Sequence, residues 1–130
     1  MALPDVMRQI ESPGAYDLSI FVGGAGQSFE VDIAVATSGG PVDLTGITPV
    51  AEVRSLDDSV VLAVMVAAVR APASAGVVRV TMTKTIADAI AWPAFSSPNG
   101  SRIIRGRWHL ALEEGTTRAV ILAGAAEVIR

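Results

Sequence analysis

From Tyr16 onward, apolar side chains recur at every second position, the period of a half-buried strand rather than of a helix. Tyr16, Leu18, Ile20 and Val22 alternate with Asp17, Ser19 and Phe21, and the run stops at Gly23, Gly24 and Gly26. Phe29, Val31, Ile33 and Val35 alternate with Glu30, Asp32 and Ala34 in the clearest strand of the chain. Further runs fall at residues 50–54, 78–82, 108–112, 119–123 and 126–129, with a hairpin turn at Glu114, Gly115 and Thr116 and an interruption at Gly124. The run VVLAVMV from Val60 has no alternation. It predicts a strand buried on both faces, or one with a face in the core and the other against a neighbouring subunit. Short strands with a turn signal roughly every 8 to 12 residues predict a β-sandwich or barrel.

Two segments break the period. Thr85, Ile86, Ala87 and Asp88 have capping-box spacing, which predicts a short helix with Thr85 at its N-cap, Ile86, Ala89 and Ile90 on its buried face, and Pro93 as its stop. Near the N-terminus Leu3, Val6, Met7 and Ile10 fall at helical spacing, with Pro4 in the first turn. Residues 1–14 are therefore expected to form an N-terminal arm, either a frayed terminus or a short helix whose apolar face docks on an adjacent subunit, and residues 15–130 a single β-sandwich domain.

The length of 130 residues suits one domain with its own core. Half of the residues are apolar but only 5% are aromatic, so the core is expected to consist of small branched side chains, which suit sheets. A mean hydropathy of +0.49 leaves an apolar excess whose expected outlet is subunit contact. The longest apolar run, residues 60–69, is half the roughly 20 residues of a membrane-spanning helix. The N-terminal stretch lacks the pattern of a secretion signal, so a soluble chain is expected. A formal net charge of −3 gives no field that would draw the chain to nucleic acid or an anionic membrane. With no cysteine, disulfides, thiolate zinc sites and thiol catalysis are excluded.

Candidate chemistry is sparse. Gly24, Ala25 and Gly26 imitate half of a dinucleotide fingerprint, but Phe29 stands where the third glycine belongs and a strand follows instead of a helix. His109 is the one histidine, and no Gly-x-Ser-x-Gly elbow exists to pair with it. Asp32, Asp43, Asp57 and Asp58 lack the spacing of a calcium loop and read as turn aspartates. Arg102, Arg105 and Arg107 form a basic stretch that reads as a charged rim facing a neighbour. The triplet Asn99, Gly100 and Ser101 matches a glycosylation acceptor, a pattern too common to carry weight without a secretion signal. Trp92 and Phe95 are the aromatic residues best placed for a sugar platform or an interface. The expectation is a chain that is not an enzyme, holds no metal or cofactor, and acts through protein contacts.

Pro41, Val42, Asp43, Leu44, Thr45 and Gly46 have the composition of a structured corner. Leu44 is expected to be buried, and Asp43 and Thr45 to bond nearby amides. Their place in a series carries more information. Residues 16–20 (YDLSI) come first, then Gly26 to Phe29 opening a strand, the G-x-P-x-D-L-T-G corner, an A-x-x-R strand at 51–54, Gly76 opening the next strand, the turn headed by Thr85, the strand 108–112, and a closing hairpin near Gly124. This order resembles small structural proteins encoded among the tail genes of tailed bacteriophages and prophages. It is also similar to the N-terminal domains of phage upper-baseplate and receptor-binding proteins. The chain departs from that pattern in a longer loop at 91–106 and in Trp108, His109 and Leu110, where a Tyr-Asp pair is common. The resemblance implies an immunoglobulin-like antiparallel β-sandwich of seven or eight strands with one short helix. It also implies a homo-oligomeric ring or trimer bound to other virion proteins as an adaptor or attachment subunit of the tail or baseplate. A capsid decoration or cement protein, a carbohydrate-binding module meeting the host surface, and a small hydrolase are the rival readings.

Overall fold

The computed structural model describes residues 14–22, 28–37, 39–92 and 102–129. Ten strands and one short helix run in the order β1 (Gly14–Ala15), β2 (Leu18–Phe21), β3 (Phe29–Ala34), β4 (Ala36–Thr37), β5 (Gly40–Pro41), β6 (Thr48–Arg54), β7 (Val61–Val69), β8 (Val77–Met82), α1 (Lys84–Asp88), β9 (Ile103–Glu114) and β10 (Thr117–Ile129). Eight strands join in the order β1-β10-β9-β6-β7-β8-β3, with β2 also on β10, while β4 and β5 form a small separate ladder.

β7 belongs to two layers. Its first half pairs with β6, from Val61 opposite Arg54 to Met65 opposite Ala51, and its second half pairs with β8, from Val66 opposite Thr81 to Val69 opposite Val78. One layer is thus β1/β2, β10, β9, β6 and the start of β7, and the other is the end of β7, β8 and β3. Their inner faces meet in one core. Leu18 and Ile20 of β2, Val53 of β6, Met65 of β7, Trp108, Leu110 and Leu112 of β9, and Val128 of β10 pack with Val78, Val80 and Met82 of β8. This is an all-β, immunoglobulin-like sandwich with one short helix, in which period-two alternation turns one face of each strand inward.

One edge departs from the antiparallel expectation. β1 and β2 run parallel to β10, Gly14 and Ala15 beside Leu122 and Ala123, and residues 18–21 beside residues 126–129. The Gly124 interruption expected in the last strand lies instead in its partner, since β10 is continuous and the pairing strand breaks at Tyr16 and Asp17. At the break the Asp17 carboxylate accepts the Ala125 amide at 2.9 Å in place of a backbone carbonyl. The Trp108 indole donates to the Tyr16 carbonyl at 2.5 Å, and the two rings meet edge to face. A side chain at position 124 would collide with this arrangement, because a Cβ there would stand 2.2 Å from the Tyr16 oxygen.

The helix is shifted by two residues from its sequence expectation. Thr83, not Thr85, is the N-cap, and its hydroxyl accepts the Ile86 amide at 3.1 Å. Asp88 does not close a capping box. It pairs with Lys84 one turn earlier, at 2.5 Å. Ala87 and Ile90 are the buried positions, Ile86 is half-buried, and Ala89, the C-cap, is exposed.

Candidate functional site

The corner that the sequence singles out lies between the small β4–β5 ladder and β6. Pro41 pairs with Ala36, Leu44 is buried to 1% exposure, and its amide bonds the Ala73 carbonyl. The Asp43 carboxylate accepts both the Thr45 hydroxyl, at 2.6 Å, and the Thr45 amide, at 3.0 Å. The two bonds together hold its carboxyl below the usual carboxylate range. The Thr45 hydroxyl is spent on Asp43 rather than on an amide, which corrects that part of the expectation. Gly46 has a φ of 77°, a left-handed position suited to glycine. All of these bonds are internal to the turn and its seat on the core, so the corner shapes the fold and presents no reactive group.

The remaining residues singled out do not converge. Leu3, Val6, Met7, Ile10 and Phe95 lie outside the described residues. Trp92 is half-buried, packs on the core and donates its indole N–H to the Ala87 carbonyl at 2.6 Å, so the ring secures the end of α1 instead of forming an open platform. Arg102 is exposed just before β9. Arg105 is also exposed, 3.6 Å from Glu127, and borders a shallow groove with Asp17, Leu56, Gly106 and Ala125. Asp57 anchors the turn before β7. It accepts the Ser55 hydroxyl, the Ser59 hydroxyl and the Ser59 amide, which hold its pKa down at about 2. Asp32 is occupied by Arg79 and Arg70, whose hydrogen bonds lower its pKa. Among the described residues no three His, Asp or Glu side chains are grouped to hold a metal ion, and no helix is long and apolar enough to cross a membrane.

The outer face of the five-strand layer carries a charged cluster around Glu52 that sequence reading missed. Register places its side chains in rows across the strands. Val64, Glu52, His109 and Ala123 form one row, and Val50, Ala111 and Val120 form the next. The apolar run in β7 is not buried on both sides as one reading expected. Ala63 and Met65 point into the core, while Val61, Val64 and Val66 are 41%, 57% and 49% exposed. A one-residue register shift against β6 between Val53 and Arg54 turns Val61 to the outer side with Val64 and Val66. The signal existed in the sequence. A strand apolar on both faces has one face to spare when only one neighbouring layer is present.

Glu52 lies at the centre of this face, 8% exposed, the only buried charged residue among those described. Its carboxylate is 3.2 Å from Arg118 Nη2, 3.6 Å from Arg54 Nε and 3.7 Å from His109 Nε2. Arg118 Nη2 also lies 3.1 Å from His109 Nε2. A guanidinium has only donors, so a hydrogen bond in this contact is one that the ring nitrogen accepts. The histidine's polar partners among the described residues are an arginine and a carboxylate. Two guanidiniums and the ring converge on this one carboxylate, with the Arg118 side chain 40% exposed and exposed valines alongside. No protein-family model matches the chain, and no curated protein matches it.

Proposed function

We propose that this protein is a structural subunit of a tailed-bacteriophage tail or baseplate, an adaptor or attachment component that works through contacts with copies of itself and with other virion proteins. The observation that carries the proposal is the outer side of β7, where Val61 and Val64 stand exposed beside Glu52 on the five-strand layer and Val66 follows as the strand passes to the other layer. A small domain that leaves three branched side chains side by side in water gains from covering them. The ordered series of motifs from Tyr16 to Val128 adds the resemblance to phage tail proteins, and the immunoglobulin-like sandwich is the fold that this resemblance implies.

The test is immunogold electron microscopy of purified phage particles from the strain that carries the gene, with antibody raised against the recombinant chain. Label at the tail tip or baseplate supports the proposal. Label confined to the head would move the protein to a decoration role, and unlabelled particles that also lack its peptides by mass spectrometry would remove the virion reading.

A further inference from the structure

We infer that the open edge of the smaller layer, at β3, is covered by the N-terminal arm of the same chain, whose side chains Leu3, Val6, Met7 and Ile10 close over Phe29, Val31 and Ile33. The inference does not depend on the virion reading, because it concerns how one copy seals its own core.

The core is uneven across two neighbouring strands. β8 and β3 pair in the smaller layer, and both turn alternate side chains inward. On β8 the inward residues Val78, Val80 and Met82 are 0% exposed. On β3 their partners Ile33, Val31 and Phe29 are only half-buried, although they pack against the same cluster. The difference follows from position. β8 has a strand on each side, whereas β3 ends the sheet and has no neighbour beyond it among the described residues. Three apolar side chains at a sheet edge gain from a cover, and an uncovered edge invites other chains.

Thirteen residues outside the described set precede Gly14, and the register fixes where they approach from. Gly14 stands beside Leu122, Leu122 beside Leu110, Leu110 beside Ala51, and Ala51 beside Met65. The next residue of β7, Val66, stands beside Thr81, and Thr81 beside Glu30. Gly14 is therefore level with the start of β3. β1 runs parallel to β10, and five antiparallel pairings lead from β10 to β3, so β3 runs opposite to β1. The chain leading into Gly14 thus arrives from the side toward which β3 extends. Ile10 is four residues from Gly14, a reach of up to about 14 Å, and packed layers are about 10 Å apart, so the arm can cross to the edge of the other layer. Leu3, Val6, Met7 and Ile10 are spaced to share one face of a helix, so one side of the arm can meet all three half-buried residues. A second copy of β3 makes a worse cover. Antiparallel overlap about Val31 would set Glu30 of each copy opposite Asp32 of the other, like charges in one row.

The chain has no cysteine, so one engineered pair reports the contact. Full-length Ile10→Cys/Val31→Cys is oxidised mildly and run on a non-reducing gel beside Ile10→Cys/Val64→Cys, whose second thiol lies on the outer side of the other layer. A disulfide requires Cα atoms within about 7 Å, so closure within one chain is expected to be about tenfold faster or more in the first pair. Amide hydrogen exchange in full-length Ile10→Glu is the second readout. The β3 amides that bond β8 are expected to exchange about tenfold faster or more than in the wild type, while Ala51 and Leu110, inside the five-strand layer, keep their rates. Equal trapping in the two pairs, a disulfide that joins two chains, or β3 exchange unmoved by Ile10→Glu overturns the inference.

Discussion

Replacing Gly124 by alanine tests how the parallel edge is held. The added methyl would stand 2.2 Å from the Tyr16 carbonyl oxygen and 2.7 Å from the Asp17 carboxylate, distances at which no carbon survives unmoved. Relief requires the 16–17 segment to retreat by more than 1 Å or so, judged against an ordinary contact of about 3.5 Å. That movement breaks the bond from Trp108 to Tyr16 and the bond from Ala125 to Asp17. Each such bond contributes about 1 kcal/mol, and forcing a methyl into a filled site adds about 1 to 3 kcal/mol. The expected loss is therefore about 3 to 5 kcal/mol, a large share of the roughly 5 to 15 kcal/mol that holds a domain together. With a urea dependence of about 2 kcal/mol per molar, the unfolding midpoint should fall by roughly 1.5 to 2.5 M, read from tryptophan fluorescence because Trp108 is buried. Gly115→Ala is the control. It has open space around it but a φ of 57°, so it reports the left-handed backbone penalty alone, about 1 kcal/mol. If Gly124→Ala shifts the midpoint no further than Gly115→Ala does, the packing account of the β1–β2 break is wrong.

Two smaller perturbations address the helix and the turn before β7. Thr83→Ala should cost about 1 kcal/mol by freeing the Ile86 amide, whereas Thr85→Ala should cost only a few tenths, and thermal melts in which Thr85 proves the more costly would return the cap to the sequence-expected position. The folded pKa of Asp57 lies at about 2, below the unfolded value of about 3.9, so whatever the turn contributes to stability is complete above about pH 4 and fades as pH falls toward 2. Carboxyl-carbon NMR titration should place the Asp57 midpoint near 2 and move it upward in Ser55→Ala, and a wild-type midpoint near 4 would contradict the hydrogen bonds drawn around it.

The sequence by itself determined that the chain is a sheet protein. Alternation at Leu18, Ile20 and Val22, at Val78, Val80 and Met82, and at Trp108, Leu110 and Leu112 marks inward faces, and the structure buries these residues to between 0% and 6% exposure. Period two is a local property of an extended backbone, so it survives without knowledge of any partner strand. The same holds for the Pro41 to Gly46 corner, whose Asp43 and Thr45 bonds span two residues. The helix start was misplaced because Thr83 and Thr85 offer the same hydroxyl two residues apart, and only the end of β8 at Met82 decides between them. Three features were decided by tertiary structure alone. The parallel pairing of β1 and β2 with β10 joins the two ends of the described chain, and no local pattern encodes a partner about a hundred residues away. The cluster of Glu52, His109 and Arg118 assembles three residues from three strands, each unremarkable in its own run. The exposed face of β7 follows from a register shift of one residue and from the absence of a covering layer among the described residues. An apolar strand specifies that both its faces avoid water, but which face the core covers is settled only when the sheets pack.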